Sequence, residues 1–239
     1  MNTYTRISRY NIVMITPTYT RELKLLRQHK LIAGVDEVGR GPLAGPVVSA
    51  VVILDPEKIG KYRSKTKWWG DVRDSKTVSP RRRGSIANFI KENCVDHAIG
   101  IASHQEIDEL NIHYASLLSM KRAIENLHHV PDMVLIDGKF TLRLSSGQKI
   151  KQEAIINGDA QVLSIAAASI LAKVYRDDLM KNYADKFPEY GFGQHKGYNT
   201  LFHRQSLVRH GPCPIHRMTF EIVQSIMNER FGKILTKTS

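Results

Sequence analysis

Two runs rich in β-branched apolar residues, Leu31 to Val38 and Val47 to Leu54, stand on either side of a segment with three glycines (Gly39, Gly41, Gly45) and two prolines (Pro42, Pro46). Apolar runs of this length bounded by turn residues predict two neighbouring strands, both largely buried. Downstream the pattern changes. Ser79 followed by Pro80 predicts an N-cap and a first helical position, opening a helix to about Cys94. His97 to Ala102 predicts a third strand, and Ser103-His104-Gln105-Glu106 has the spacing of a capping box. Ile112, Ala115, Leu118 and Ala123 then form the apolar face of a longer helix. Met133 to Ile136 and Ala154 to Ile156 predict short strands, ending on Asp137-Gly138 and near Asn157-Gly158-Asp159. Gln161 to Tyr183 is strongly helical and closes at Phe187-Pro188; a Gly-rich loop and two short helices around Gly211-Pro212 complete the chain.

Strands that gather early and then alternate with helices predict the α/β class, with a central mixed β-sheet covered by helices on both faces. Residues 29–188 are expected to form that domain, and 189–239 a small C-terminal helical appendage. Residues 1–28 are expected to be an N-terminal extension, loose at its start. Its first 21 residues carry Arg6, Arg9 and Arg21 with no acid before Glu22, and the Ile12–Ile15 cluster is too short for a secretory signal.

Composition sharpens this picture in three ways. At 42% hydrophobic the chain can bury a real core. The 35 Lys plus Arg against 23 Asp plus Glu give a formal charge of +12, which favours polyanionic partners, nucleic acid ahead of a membrane surface. Solubility alone would explain the charge equally well. Two cysteines, Cys94 and Cys213, form no disulfide framework, so a reducing compartment, the cytoplasm, is expected. No apolar stretch approaches the ~20 residues of a membrane span.

Asp36 and Glu37 are adjacent carboxylates inside an apolar run. Buried charges are costly unless paired or bound to a metal. Successive strand residues face opposite ways, so both reach one ion only at a strand end or bulge. The plainer alternative pairs one of them with Arg40 and leaves the other in solvent. Asp137 ends a strand where α/β sheets place their sites, or is simply a turn residue before Gly138; Asp159 follows a Gly or caps the next helix. Taken together, three strand ends each bring acids, without zinc-like His or Cys spacing. Such an all-oxygen set suits Mg²⁺ or Mn²⁺, and beside a basic surface its commonest work is two-metal phosphodiester cleavage. Cys213-Pro-Ile-His216 is half a zinc pattern with no second half, and Asp177 is expected to pair with Arg176 on its helix.

Gly39-Arg40-Gly41 offers backbone groups to a sugar or phosphate without side-chain obstruction, or is simply a turn. Residues 57–83 hold ten Lys or Arg against three acids. Within and beside them Ser75-Lys76 and Arg81-Arg82-Arg83 are phosphate candidates, while Trp68 and Trp69 are read as packing rather than stacking residues. The loop from Gly191 to Tyr198 either stacks a sugar or base or is a tight connector, and the sequence leaves both open.

Several of these segments together resemble one family, ribonuclease HII, the type 2 ribonucleases H. The resemblance runs from about Ile32 to Val223 and rests on Ala33 to Pro46 (AGVDEVGRGPLAGP), Asp74-Ser-Lys76, Leu135-Ile-Asp-Gly138, Ala166 to Asp177 (AAASILAKVYRD), His195-Lys-Gly-Tyr198 and Pro214-Ile-His-Arg217, in the family's order. It implies an RNase H-like fold and hydrolysis of the RNA strand of RNA–DNA hybrids, with nicking 5′ to single ribonucleotides in duplex DNA. Products would carry 3′-hydroxyl and 5′-phosphate ends, and the reaction would start removal of misincorporated ribonucleotides. By the same resemblance Asp36, Glu37, Asp137 and Asp159 are the catalytic metal ligands for Mn²⁺ or Mg²⁺, with no further cofactor. Gly39, Arg40 and Gly41 read the ribose 2′-hydroxyl, Tyr198 stacks on the following deoxyribose, and Ser75 and Lys76 hold phosphate. A monomer with no membrane partner is expected. The sequence departs from the family at Asn157-Gly-Asp159, where Lys commonly precedes the Gly, and at Lys65 to Gly70 and the first 25 or so residues, which match no family element.

Overall fold

The computed structural model describes residues 16–62, 71–72, 78–145 and 150–235. Ser75 and Lys76, Trp68 and Trp69, and the first fifteen residues lie outside the described residues.

Five strands form one sheet: β1 (Ile32–Val38), β2 (Val47–Leu54), β3 (Cys94–Ala102), β4 (Met133–Asp137) and β5 (Lys151–Ile155). Their spatial order is β3-β2-β1-β4-β5. β2 pairs antiparallel with β1 and β3, whereas β4 is parallel to both β1 and β5, so the sheet is mixed as expected. The parallel half fixes where chemistry can gather. Val35 lies opposite Ile136, and Asp137 opposite Ile155, so the C-terminal ends of β1, β4 and β5 finish level along one edge.

The helices are α1 (Thr20–Leu25), α2 (Pro56–Tyr62), α3 (Pro80–Asn93), α4 (His104–Glu125), α5 (Leu163–Lys186), α6 (Phe192–His195), α7 (Leu201–His210) and α8 (Glu221–Leu235). Strand alternation sorts them into layers. Ala33, Val35, Val51 and Ile53 point to one face and pack with Met120, Ala123 and Ile124 of α4. Ala50, Val52 and Leu54 point to the other and pack with α3 and the small residues Ala166, Ala167, Ala168 and Ala172 of α5. Close approach is built into both layers. A Cβ at Gly34 would stand 2.4 Å from the Ser164 carbonyl carbon, and one at Gly100 2.0 Å from the Ser119 carbonyl oxygen.

The edge strands depart most from the sequence expectation. β3 begins at Cys94, three residues earlier than predicted, as the half-buried alternation of an edge rather than an apolar run. Its Asp96 is accommodated because the carboxylate accepts the amide N–H groups of His97 and His129, both at 2.8 Å. β5 is Lys151–Ile155 rather than 154–156, its polar start being tolerated at the sheet's other edge. α5 begins at Leu163 because Gly158–Ala160 form a 3-10 turn before it.

Part of the segment expected to be loose is fastened. Thr18 bridges Val162, and Ser164, in the first turn of α5, donates its N–H to Glu22 Oε1 at 2.9 Å. The helix lacks a side-chain cap of its own, so α1 supplies it from across the chain. At the other end, Leu207, Ile215 and Val223 join Leu43, Ala44, Met180, Tyr190 and Phe192 in one apolar cluster. The C-terminal helices therefore share a core with α5 and with the β1–β2 connection.

Candidate active site

Asp36 and Glu37 sit near the end of β1, where the alternation sends them to opposite faces. Asp36 follows Gly34 toward α5, and Glu37 follows Val35 toward α4. Asp137 ends β4 between them. One carboxylate oxygen from each of Asp36, Glu37 and Asp137 lies within 4.8 Å of the others. Gly158, in the turn after β5, donates its N–H to Asp137 Oδ1 at 2.6 Å and so fixes that carboxylate. Asp159 stands outside this trio but near enough for its charge to act on Asp36.

The electrostatics are those of a site short of positive charge. Burial pushes the Asp36 carboxyl well above its ordinary range, and Glu37, Asp137 and Asp159 add to the rise. Burial also raises Glu37, against the pull of the Arg40 guanidinium at 3.1 Å. Glu37 is ion-paired with Arg40, as the plainer alternative has it, but Asp36 is buried rather than in solvent, and both carboxylates lie in one acid cluster. Glu37 Oε2 is buried with no hydrogen-bond donor. An orphaned carboxylate oxygen among three clustered acids is the donor set of a hard divalent cation, and these residues fit one.

The loop after β1 is held from beneath by two arginines whose roles the sequence reading missed. Arg217 is fully buried and donates to three backbone carbonyls: Gly39 at 2.6 Å, Arg40 at 2.8 Å and Gly45 at 2.9 Å. Arg176, also fully buried, donates to the carbonyls of Pro46 (3.0 Å), Lys196 (3.0 Å) and Ala44 (3.1 Å). The expected Arg176–Asp177 pair is therefore not formed. Asp177 instead meets Lys173 at 2.7 Å and Arg83 at 3.3 Å, because Arg176 is turned inward by one helical residue. Burial lowers Arg176 to about 10 and Arg217 to about 9, which leaves both charged at neutral pH. In a trans peptide the C=O of one residue and the N–H of the next point opposite ways. With the carbonyls of Gly39 and Arg40 turned to Arg217, the N–H groups of Arg40 and Gly41 point away from it, where both residues are exposed. Gly39 adopts φ +95°, and a Cβ there would lie 2.2 Å from Arg176 Nε, so this position requires glycine.

Tyr198 borders this loop, its ring 3.9 Å from where a Gly41 Cβ would be, and it is 41% exposed. Its carbonyl is held by a pair of buried histidines. A carbonyl only accepts, so His203 Nδ1 carries the hydrogen that reaches Tyr198 at 3.0 Å. His203 Nε2 then accepts from His216 Nε2 at 2.9 Å, and His216 Nδ1 accepts the Cys213 N–H at 2.9 Å. Burial depresses His203 to about 4 and His216 to about 3. The Cys213–His216 half-pattern is thus a structural tie.

The sequence places Asp36, Glu37, Asp137, Asp159, Gly39, Arg40, Gly41 and Tyr198 at one end of the sheet in this structure. Arg217 was legible only as part of the Pro214–Arg217 segment.

The sequence pattern of the ribonuclease HII family matches residues 33–223. Ribonuclease HII of Endomicrobium trichonymphae is 46% identical over 198 residues, covering 83% of this chain and 89% of that protein. Ribonuclease HII 1 of Methylibium petroleiphilum is 48% identical over 198 residues, 83% of this chain and 93% of its own. Among solved structures, ribonuclease H2 of Pyrococcus horikoshii superposes with a TM-score of 0.70 at 27% identity, over 85% of this chain and 99% of that one.

Proposed function

The chain belongs to the ribonuclease HII family and is a type 2 ribonuclease H, and from that premise we propose that it cuts the RNA strand of RNA–DNA hybrids and nicks duplex DNA 5′ to single embedded ribonucleotides. It would leave 3′-hydroxyl and 5′-phosphate ends, acting as a monomer in the cytoplasm at the start of ribonucleotide removal.

The observation that carries the finer activity is the join between the acid cluster and the Gly39–Gly41 loop. A general nuclease needs the acids alone. Here the two N–H groups turned outward by Arg217 lie just beyond Glu37, as donors for a ribose 2′-hydroxyl, the group that distinguishes RNA from DNA. Mg²⁺ or Mn²⁺, two ions per site held by Asp36, Glu37, Asp137 and Asp159, would supply the activated water and the charge that stabilises the leaving 3′-oxygen. Arg40 orients Glu37 through their ion pair. Tyr198 stacks on the deoxyribose after the ribonucleotide, and Ser75 and Lys76 hold backbone phosphate.

The test is a DNA duplex with one ribonucleotide, incubated with Mg²⁺, Mn²⁺ or chelator beside an all-DNA duplex. Metal-dependent nicking 5′ to the ribonucleotide is expected only in the first duplex, and none with Asp137→Asn. That variant should melt no lower than the parent without metal, because it relieves repulsion within the cluster. Binding without cutting under both metals would replace this reading with a non-catalytic binding module. Cutting of the all-DNA control would replace it with a general nuclease.

A further inference from the structure

Tyr198 borders the acids on the α5 side. On the α4 side Arg40, Glu37 and Asp137 line a cavity of about 390 Å³ together with His113, Met120 and Phe140, and the cleavage reaction does not explain it. Two of its lining residues, Glu37 and Asp137, are members of the acid cluster itself. An occupant of the cavity would therefore stand directly beside two of the three clustered acids.

Its outer wall is aromatic. Phe140, on the connection after β4, is 54% exposed, and its ring meets that of His113 edge-on at 4.8 Å between centroids. Lys139 stands beside it, and Met120 lines the cavity from the α4 layer. His113 reaches this place through a deliberate irregularity. The helix α4 is interrupted at Asn111, which adopts φ 66°, ψ 165°, and the Asn111 side chain then caps the restarted helix by accepting N–H groups from His113 (2.9 Å) and Tyr114 (3.3 Å). A non-glycine residue at positive φ is costly and tends to persist where it positions something.

Layering gives the cavity its side. Tyr198 belongs to the loops packed on α5, whereas His113 lies on α4, across the sheet. A strand laid over the acids from Tyr198 would thus run toward Phe140. Within a duplex the base faces are covered by their stacked neighbours, so what a backbone presents to such a wall is a sugar ring.

Resting on the reading that Tyr198 takes the nucleotide 3′ of the ribonucleotide, we propose that this cavity is a sugar-binding subsite for the nucleotide on the 5′ side of the cut. Phe140 is its packing face, His113 supports the ring edge-on, and Lys139 stands by the adjoining phosphate. The contact is with the sugar's C–H face and is indifferent to base identity.

The experiment is a coupling cycle between protein and substrate. Wild type and Phe140→Ala are each assayed on the single-ribonucleotide duplex, and on the same duplex with the 5′-neighbouring nucleotide replaced by a propyl spacer. Phe140→Ala should raise KM on the intact duplex by about tenfold with kcat little changed. It should cause no further loss on the spacer duplex, and the spacer's own effect on the bond divides out of the cycle. Phe140 is exposed, and an unchanged melting temperature confirms that the variant folds. Independent, additive losses would overturn the proposal. So would coupling to a spacer on the 3′ side or in the complementary strand, since either would assign Phe140 to a different nucleotide. A wild-type enzyme that cuts no ribonucleotide duplex would overturn the cleavage reading, and this subsite with it, whereas normal wild-type cutting with no coupling defeats the subsite alone.

Discussion

Asp36 and Glu37 leave the same strand in opposite directions and still meet Asp137 in one cluster, because β1 and β4 run parallel and end level. The acids were legible in the sequence because charge in an apolar run is anomalous and demands an explanation. Arg217 was not, since an arginine in a polar tail raises no such question; only the fold reveals that it is fully buried against backbone carbonyls. Lysine carries the same charge without the planar fork, so it cannot reach all three carbonyls together. Arg217→Lys should destabilise the protein by about 1–3 kcal/mol, since buried carbonyls lose their donors. The loop it releases should also hold the ribonucleotide less well: the initial rate of nicking at the single-ribonucleotide duplex should fall more than tenfold, with the all-DNA duplex still uncut.

Among the elements, those with strong local signals formed where the sequence predicts. Ser79 caps α3, and the Ser103–Glu106 capping box opens α4 with both of its hydrogen bonds present. The restart of α4 at Asn111 was invisible, because its apolar spacing continues across the break. The cap on α5 was equally hidden: its donor and acceptor, Ser164 and Glu22, lie 142 residues apart. Glu22→Ala should cost about 1–2 kcal/mol in urea unfolding, the usual loss for a helix cap, with the effect falling on the turn that carries Asp159. The histidine pair ties α7 to the loop before α8 and gives stability a pH dependence. Unfolded, His203 and His216 take up protons below about 6.5, whereas folded they resist to about 4 and about 3. Stability from this pair is therefore complete above about 6.5 and declines as pH falls toward the folded values, by ~1.4 kcal/mol per unit for each ring. His216→Gln should flatten the change in unfolding free energy between about pH 7 and about pH 5 relative to wild type. Equal slopes in the two proteins would show that the pair does not carry it.

For the molecule as a whole, the class and layering followed from strand and helix order, and the mixed sheet with helices on both faces is what formed. What order alone could not supply was how the ends are incorporated. Thr18 to Leu25 and the C-terminal helices were set apart by their composition, yet the first caps α5 and the second shares the core around Leu43 and Met180. Among the described residues no helix is long and apolar enough to cross a membrane. The formal charge of +12 is available to attract a polyanion, and duplex affinity should fall steeply as salt rises from about 50 to about 200 mM.

The two inward-facing guanidiniums answer to salt differently from the surface cations. Mobile ions crowd around exposed lysines and arginines but do not enter the space beneath the Gly39–Gly41 loop, where Arg176 and Arg217 have no accessible surface. Grip and discernment are thereby placed on separate controls. Brine should make the enzyme let go of nucleic acid sooner, yet each duplex it does hold should be judged by the same standard, its preference for a ribose unaltered while its rate declines.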